Sequence, residues 1–324
     1  MADLARLARN DFVIIGRAGM DFYPDPPGTA IEDATSCVTG LGGSSANIAA
    51  AICRLGGKAA LVTAVSDDAI GRFCLNALDR FGIDRRYVTT IGGEARNSLA
   101  ISESVLDGHQ TVIYRNGAAD FAMTMADVDR VDFAPFGGLI TTGTVLAAEP
   151  SRAATFHGFA KARDAGLPLV LDVDYRPYSW ASAAEAAEVY SRAATLCDVI
   201  IGNDVEFGFM AGDYDAGLAK ARDLAQTSAQ IVVYKMGEKG AITLTGDAEF
   251  RTGIYPATPL KPVGAGDAFM GAFMASLAAG RDLRDAVLRG SASAAIVVGR
   301  VGCSGAMPTA DELDEFCARH PAPL

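Results

Sequence analysis

The chain has 324 residues, half of them apolar and 21% charged, which suits a packed core and excludes a disordered protein. Its 28 Lys+Arg against 39 Asp+Glu leave a net charge of −11, which argues against nucleic-acid or anionic-membrane partners, since both require basic patches. Six scattered cysteines (Cys37, Cys53, Cys74, Cys197, Cys303, Cys317) without a C-x-x-C pair fit neither a zinc site nor a disulfide framework and point to a reducing, cytoplasmic compartment.

Met1–Asp11 is polar and Phe12–Ile15 only strand-length, so no signal peptide is expected. Strands are predicted at Phe12–Ile15, Ala59–Val65, Gly138–Thr142, Leu169–Asp172, Val199–Gly202, Gln230–Lys235 and Ala241–Leu244. Between and after them come amphipathic or small-apolar stretches: Ser44–Leu55, Arg72–Phe81, Ser151–Ala165, Ala183–Leu196, Ala216–Ala225, Asp267–Ala279, Arg284–Val298 and Ala310–Arg319. This alternation predicts an α/β fold with a mostly parallel sheet and helices on both faces. Ligands of such sheets bind beyond the carboxyl ends of the strands. The apolar stretch Ala268–Gly280 is too short to span a bilayer. One region breaks the rhythm: Ser98–Leu106 and His109–Arg115 flank Asp107-Gly108 and read as a hairpin with an Asp-Gly turn. That predicts a small second sheet, able to cover a pocket or pair with another subunit.

Two glycine motifs stand out. Lys261-Pro262-Val263-Gly264-Ala265-Gly266-Asp267 precedes a small-residue helix, and its free N–H groups and helix dipole form an anion site unless Asp267 is merely an N-cap. Leu41-Gly42-Gly43-Ser44-Ser45-Ala46-Asn47 also opens a helix, with Asn47 able to bond hydroxyls; alone it is equally a capped loop. No P-loop is present, because Gly57-Lys58 is followed by Ala59, and the three histidines do not form a hydrolase triad. His109, His157 and His320 each read as structural or solvated.

Taken together, the two motifs resemble the two signatures of the ribokinase-like (PfkB) carbohydrate kinase family, in order and separation, over essentially the whole chain. Asn203-Asp204-Val205-Glu206 resembles its N-x-x-E motif, and Lys235 through Gly240 its G-x-x-G nucleotide loop. Asp172–Trp180 and Gly302–Pro308 are similar to the branch that phosphorylates the sugar acid 5-dehydro-2-deoxygluconate in inositol catabolism. Lys261-Pro262 replaces the Asp-Thr that usually opens the second signature and removes the Asp of the family's monovalent-cation site. The resemblance implies a three-layer α/β/α sandwich, one domain over residues 1–324, with a β lid from about 17–40 and 95–120. It implies ATP and Mg²⁺; the acidic charge leaves no nucleic-acid or membrane partner expected, and the exposed face of a small lid sheet favours a homodimer in which lids pair.

Residue roles follow from the same resemblance. Asp267 would be the catalytic base, kept ionised by its helix N-terminus, and Gly264, Ala265 and Gly266 would stabilise the transferring phosphoryl group. Asp21, Gly42, Gly43 and Asn47 would bind sugar hydroxyls. Arg115 and Arg176 would bind the substrate carboxylate, unless they are a surface and a salt-bridged arginine. Glu206 would hold Mg²⁺ through water, and Asn203, Lys235, Gly237 and Gly240 would contact the nucleotide. Trp180 and Tyr178 read as packing residues. Rival readings are a kinase for 2-keto-3-deoxygluconate, fructose or ribose, and a non-catalytic nucleotide- or sugar-binding regulator.

Overall fold

The computed structural model describes residues 1–323, with Tyr178 by its backbone alone, so the packing role expected of that side chain lies outside the described residues. β1 (Asp11–Ile15) opens a large sheet, and the chain then leaves it for β2 (Gly19–Pro24) and β3 (Cys37–Gly42). Next come α1 (Ser44–Arg54), β4 (Lys58–Ser66), α2 (Ala69–Arg80) and β5 (Val88–Ile91). β6 (Leu99–Ser102) and β7 (Thr111–Tyr114) form a second excursion, followed by the short α3 (Met125–Asp129). Regular alternation resumes with β8 (Gly138–Thr142), α4 (Ser151–Asp164), β9 (Leu169–Asp172), α5 (Ala183–Leu196) and β10 (Val199–Asn203). α6 (Asp204–Ala211), α7 (Gly217–Thr227), β11 (Ile231–Lys235), β12 (Ala241–Leu244) and β13 (Glu249–Thr252) continue it, before α8 (Ala265–Ala278), α9 (Leu283–Val298) and α10 (Ala310–Arg319).

The large sheet runs β13-β12-β11-β10-β9-β8-β1-β4-β5, parallel except for β12 and β13 at one edge. Its apolar strands are buried on both faces, as an all-covered parallel sheet requires. Along β1, Val13 and Ile15 enter a core shared with α3 to α7, while Phe12 and Ile14 enter one shared with α1, α2, α8 and α9. Three layers result, α/β/α.

The excursions pair as a separate four-stranded sheet, β3-β2-β6-β7. The expected hairpin is present but its turn is not the predicted two-residue one. Ser102 pairs with Thr111, so an eight-residue loop joins the strands, and Asp107-Gly108 forms a turn at its tip, with Gly108 at φ +66°. Inside that loop Glu103 accepts from the backbone N–H of Gln110 at 2.8 Å and that of Ile31 at 2.9 Å, bonds that only a wider loop allows. The pleat puts Asp21, Ala100, Ser102, Thr111 and Ile113 on one face and Met20, Phe22, Leu99, Ile101, Val112 and Tyr114 on the other.

α8 carries the second glycine motif and α1 the first, and the two helices pack directly. A Cβ placed on Gly271 of α8 would stand 2.3 Å from the Cβ of Ala51 on α1, so only glycine permits this approach. Gly271→Ala is therefore expected to lower stability by about 1–3 kcal/mol through overpacking. Urea unfolding followed by circular dichroism checks it; an unchanged midpoint would mean that the helices separate at no cost.

Candidate active site

A cavity of about 410 Å³ opens at the carboxyl ends of β1, β9, β10 and β11, with the inner face of the small sheet as one wall. Register explains the gathering. Asp172, last in β9, pairs with Thr142 and Ile201, and Asn203, last in β10, pairs with Lys235, last in β11. β9, β10 and β11 thus each end in a polar residue at the same edge of the sheet.

Asp267 lies in the first turn of α8, behind Gly264, whose φ of +88° and contact with Cys303 (Sγ 2.9 Å from a built Cβ) exclude a side chain. The first turn of a helix leaves backbone N–H groups without intrahelical partners, and Gly264 and Gly266 line the cavity there. Asn47 Nδ2 donates to Asp267 Oδ2 at 2.8 Å, and Asn47 Oδ1 accepts from Ser304 Oγ at 2.6 Å. Both glycine motifs and the Gly302–Pro308 segment therefore meet on one side chain.

Burial pushes Asp267 up to about 7, with the charge of Asp174 adding to the rise and Asn47, Arg176 and Lys235 opposing it. The dipole of α8, expected to keep this carboxylate ionised, is outweighed by lost hydration. Burial is also the largest influence raising Asp172 and Glu206. Asp174 behaves oppositely: although buried, it is held below the usual carboxylate range by Arg176 (Nη2 to Oδ1, 2.8 Å) and by a 2.5 Å bond from Ser44 Oγ. Its backbone adopts φ +40°, a left-handed conformation that Asp tolerates better than most residues.

Of the residues singled out from the sequence, Asp21, Gly43, Asn47, Arg176, Asn203, Glu206, Lys235, Gly264, Gly266 and Asp267 line the cavity. Gly42, Ala265, Gly237, Gly240 and Arg115 do not. Gly42 acts by yielding space, since a Cβ there would fall 1.8 Å from Asp21 Oδ1. Gly237 and Gly240 shape the turn from β11 to β12, both at positive φ. Arg115 is spent inside the protein: its guanidinium bonds Asp120 (Nη2 to Oδ2, 2.5 Å) and the Thr144 carbonyl (2.9 Å) and covers the Phe121 ring. Asn203 and Glu206 cap α6 reciprocally, and Glu206 Oε1 also accepts from the N–H of Tyr175 at 3.2 Å, so the carboxylate is fixed facing inward. Lys261 is fully buried, and its ammonium donates to the Val263 carbonyl at 2.5 Å beside Asp267 and Asp21. Trp180 packs against Tyr190, as expected.

Sequence reasoning missed Arg17, His109, Asp172 and Asp174 as cavity residues. Asp172 and Asp174 had a signal available, being the first polar residues after an apolar strand.

Residues 9–310 match the pfkB family carbohydrate kinase pattern. The chain belongs to that family. Among its relatives, the 5-dehydro-2-deoxygluconokinase of Photobacterium profundum is 38% identical over 94% of each chain. The enzyme of that name from Geobacillus kaustophilus is 36% identical over 96% of this chain and 94% of its own. Among solved structures, a fructokinase from Vibrio cholerae, bound to fructose, ADP and calcium, is 26% identical, with a TM-score of 0.83 over 95% of this chain and 99% of its own. The ribokinase-like sandwich expected from the sequence is thus the fold of this family kinase.

A raised carboxylate pKa carries a stability cost. Asp267 is protonated in the native state up to about pH 7 but in the unfolded chain only to about pH 4, so ionising it above pH 7 destabilises the fold. Asp267→Asn is expected to raise Tm at pH 8, with the gain shrinking to nothing near pH 4. Calorimetry across that range checks it, and a gain independent of pH would refute the burial argument.

Proposed function

We propose that this kinase transfers the γ-phosphoryl group of ATP to the terminal hydroxyl of a sugar acid, 5-dehydro-2-deoxy-D-gluconate, giving the 6-phosphate and ADP. The observation that carries the reading is Asp267 at the head of α8, bonded to Asn47 and adjoining the half-buried glycine turn that lines the cavity. The hydroxyl oxygen attacks the γ-phosphorus, the bond from that phosphorus to the β–γ bridging oxygen breaks, and the hydroxyl proton passes to Asp267. Backbone N–H groups at Gly264 and Gly266 stabilise charge on the transferring oxygens, with the dipole of α8 behind them, whereas the Ala265 N–H donates to the Pro262 carbonyl at 3.4 Å. Lys235, whose Nζ lies 3.6 Å from where a Cβ on Gly266 would be, adds positive charge on the same side. Asp21 and Asn47 hold sugar hydroxyls, and Arg176, paired with Asp174, adds positive charge to the cavity lining. Asn203, Gly237 and Gly240 border the nucleotide. The names of the curated relatives support the substrate, and ADP in the Vibrio enzyme supports the nucleotide.

Mg²⁺ fits the donors present. Asp172 and Glu206 are buried carboxylates whose mutual crowding a divalent cation would relieve. Among the described residues no three metal-binding side chains converge, so phosphate and water would complete the shell, which is usual for Mg²⁺. When bound, the ion neutralises phosphate charge.

The small sheet acts as a lid that excludes water from the transfer. Its outer face supports a homodimer, because Val112 (39% exposed) and Tyr114 (59% exposed) extend an apolar stripe on a sheet with two free edges. All six cysteines are free thiols and no helix among the described residues is long and apolar enough to cross a membrane, which supports a cytoplasmic location.

ADP release with Mg-ATP tests the activity on a panel of 5-dehydro-2-deoxygluconate, 2-keto-3-deoxygluconate, fructose and ribose. The first is expected to dominate, with kcat about 10³-fold lower in Asp267→Asn and kcat/KM of the wild type falling as pH drops below about 7. Preference for another panel member overturns the substrate, and an active Asp267→Asn overturns the base. Sedimentation velocity is expected to find a dimer that Val112→Asp with Tyr114→Asp converts to a 33.6 kDa monomer. A monomeric wild type would refute the lid interface.

A further inference from the structure

We infer that Arg17, rather than Arg115, binds the substrate carboxylate and sets the preference of this site for acids over neutral sugars. The inference rests on the sugar-acid reading above and assigns its recognition to a residue of this chain.

Three arginines stand near the cavity, and their commitments differ. Arg115 is consumed by Asp120, the Thr144 carbonyl and the Phe121 face, and does not reach the cavity lining. Arg176 lines the cavity, but its side chain is half exposed and already ion-paired with Asp174. Arg17 lines the cavity, is only 7% exposed, and forms no ion pair among the described residues. Its one side-chain bond is from Nη1 to Ser98 Oγ at 3.0 Å, and its Nε is buried with no partner at all.

A buried guanidinium without a counter-ion is costly, and natural structures retain such a group where a ligand completes it. Holding Nη1 through Ser98 fixes the plane of the guanidinium, whose remaining terminal N–H groups match the oxygens of a carboxylate in the cavity that Arg17 lines. Neighbouring chain keeps the arginine in place. Ala18, next in sequence, accepts from Asn97 Nδ2 at 3.1 Å, and the carbonyl of Arg17 receives the N–H of Ala46 at 3.2 Å. Arg17 thus lies where β1, the first glycine motif and the start of β6 meet, on the small-sheet side and not in the glycine turn of α8. Asp21, next along, has one oxygen taken by Tyr23 (2.9 Å), and burial raises its carboxyl above the usual range although the charge of Arg17 opposes the rise. Hydroxyl-binding and carboxylate-binding groups therefore adjoin, as a polyhydroxy acid requires.

The test compares 5-dehydro-2-deoxygluconate with its analogue reduced at the carboxylate to an alcohol, using wild type, Arg17→Met and Arg17→Lys. In Arg17→Met the KM for the acid is expected to rise about 100-fold, while the KM for ATP and the kcat/KM for the alcohol stay near wild type. The acid preference then falls to near parity, and Arg17→Lys, which keeps charge without the fork, lies between. Retained acid preference in a folded Arg17→Met overturns the inference. So does equal loss on acid and alcohol, which marks a structural role; if Arg17→Met does not fold, wild-type acid preference in Arg17→Lys does the same. Failure of the substrate reading is visible separately, as a wild type that favours neutral sugars or the alcohol over the acid.

Discussion

The active site depends on how closely α1 and α8 approach each other. The two glycine motifs are separated by more than 200 residues, and each alone is only a helix start. Gly271 lets α8 settle against Ala51, and that approach brings Asn47 within 2.8 Å of Asp267. Because Asn47 spends its other end on Ser304, it has one orientation, with the amide nitrogen facing the carboxylate. The acid is therefore positioned by packing between helices, and its hydrogen bond reports on that packing.

Charge in the cavity is nearly balanced, and the balance explains how an acidic protein accommodates an anionic substrate. Asp21, Asp172, Asp174, Glu206 and Asp267 stand against Arg17, Arg176 and Lys235, with Lys261 buried behind. Two unit charges about 4 Å apart interact by about 4 kcal/mol at the effective dielectric of such a site. Desolvation nevertheless leads the influences on Asp172, Glu206 and Asp267, so burial and not pairing sets the direction of all three and pushes Asp267 up to about 7. Asp174 is the exception because Arg176 and Ser44 both bind it directly. The cavity carboxylates thus divide into Asp174, held low by its direct partners, and Asp172, Glu206 and Asp267, which burial pushes up.

The glycine motifs were legible because their backbone demands are visible in residue type: Gly43 and Gly264 occupy positive φ, and Gly42 gives room to Asp21. The parallel sheet was legible from its apolar runs. Arg115 and Arg17 could not be told apart by sequence, since each follows an apolar segment and only tertiary contacts show that Asp120 neutralises the former. The short strands β5 and β13 lacked a long apolar run, being partly exposed at the sheet edges. α6 was hidden because N-x-x-E reads equally as a ligand motif and as a capping box, and here it forms the box.

The pleat of the small sheet ties its outer face to the cavity. Residues alternate between faces along each strand, so a side chain facing the cavity, such as Ala100, Thr111 or Ile113, is flanked by neighbours facing outward, such as Ile101, Val112 and Tyr114. A partner that buries the outer face restrains the same strands that line the substrate pocket. Ser98 holds Arg17 at the base of β6, and Met20 N bonds the Ser98 carbonyl at 3.2 Å. A shift of this sheet therefore moves the arginine together with the wall. The subunit contact and the carboxylate contact proposed above would thus meet on one sheet, where substrate binding and subunit contact could influence each other.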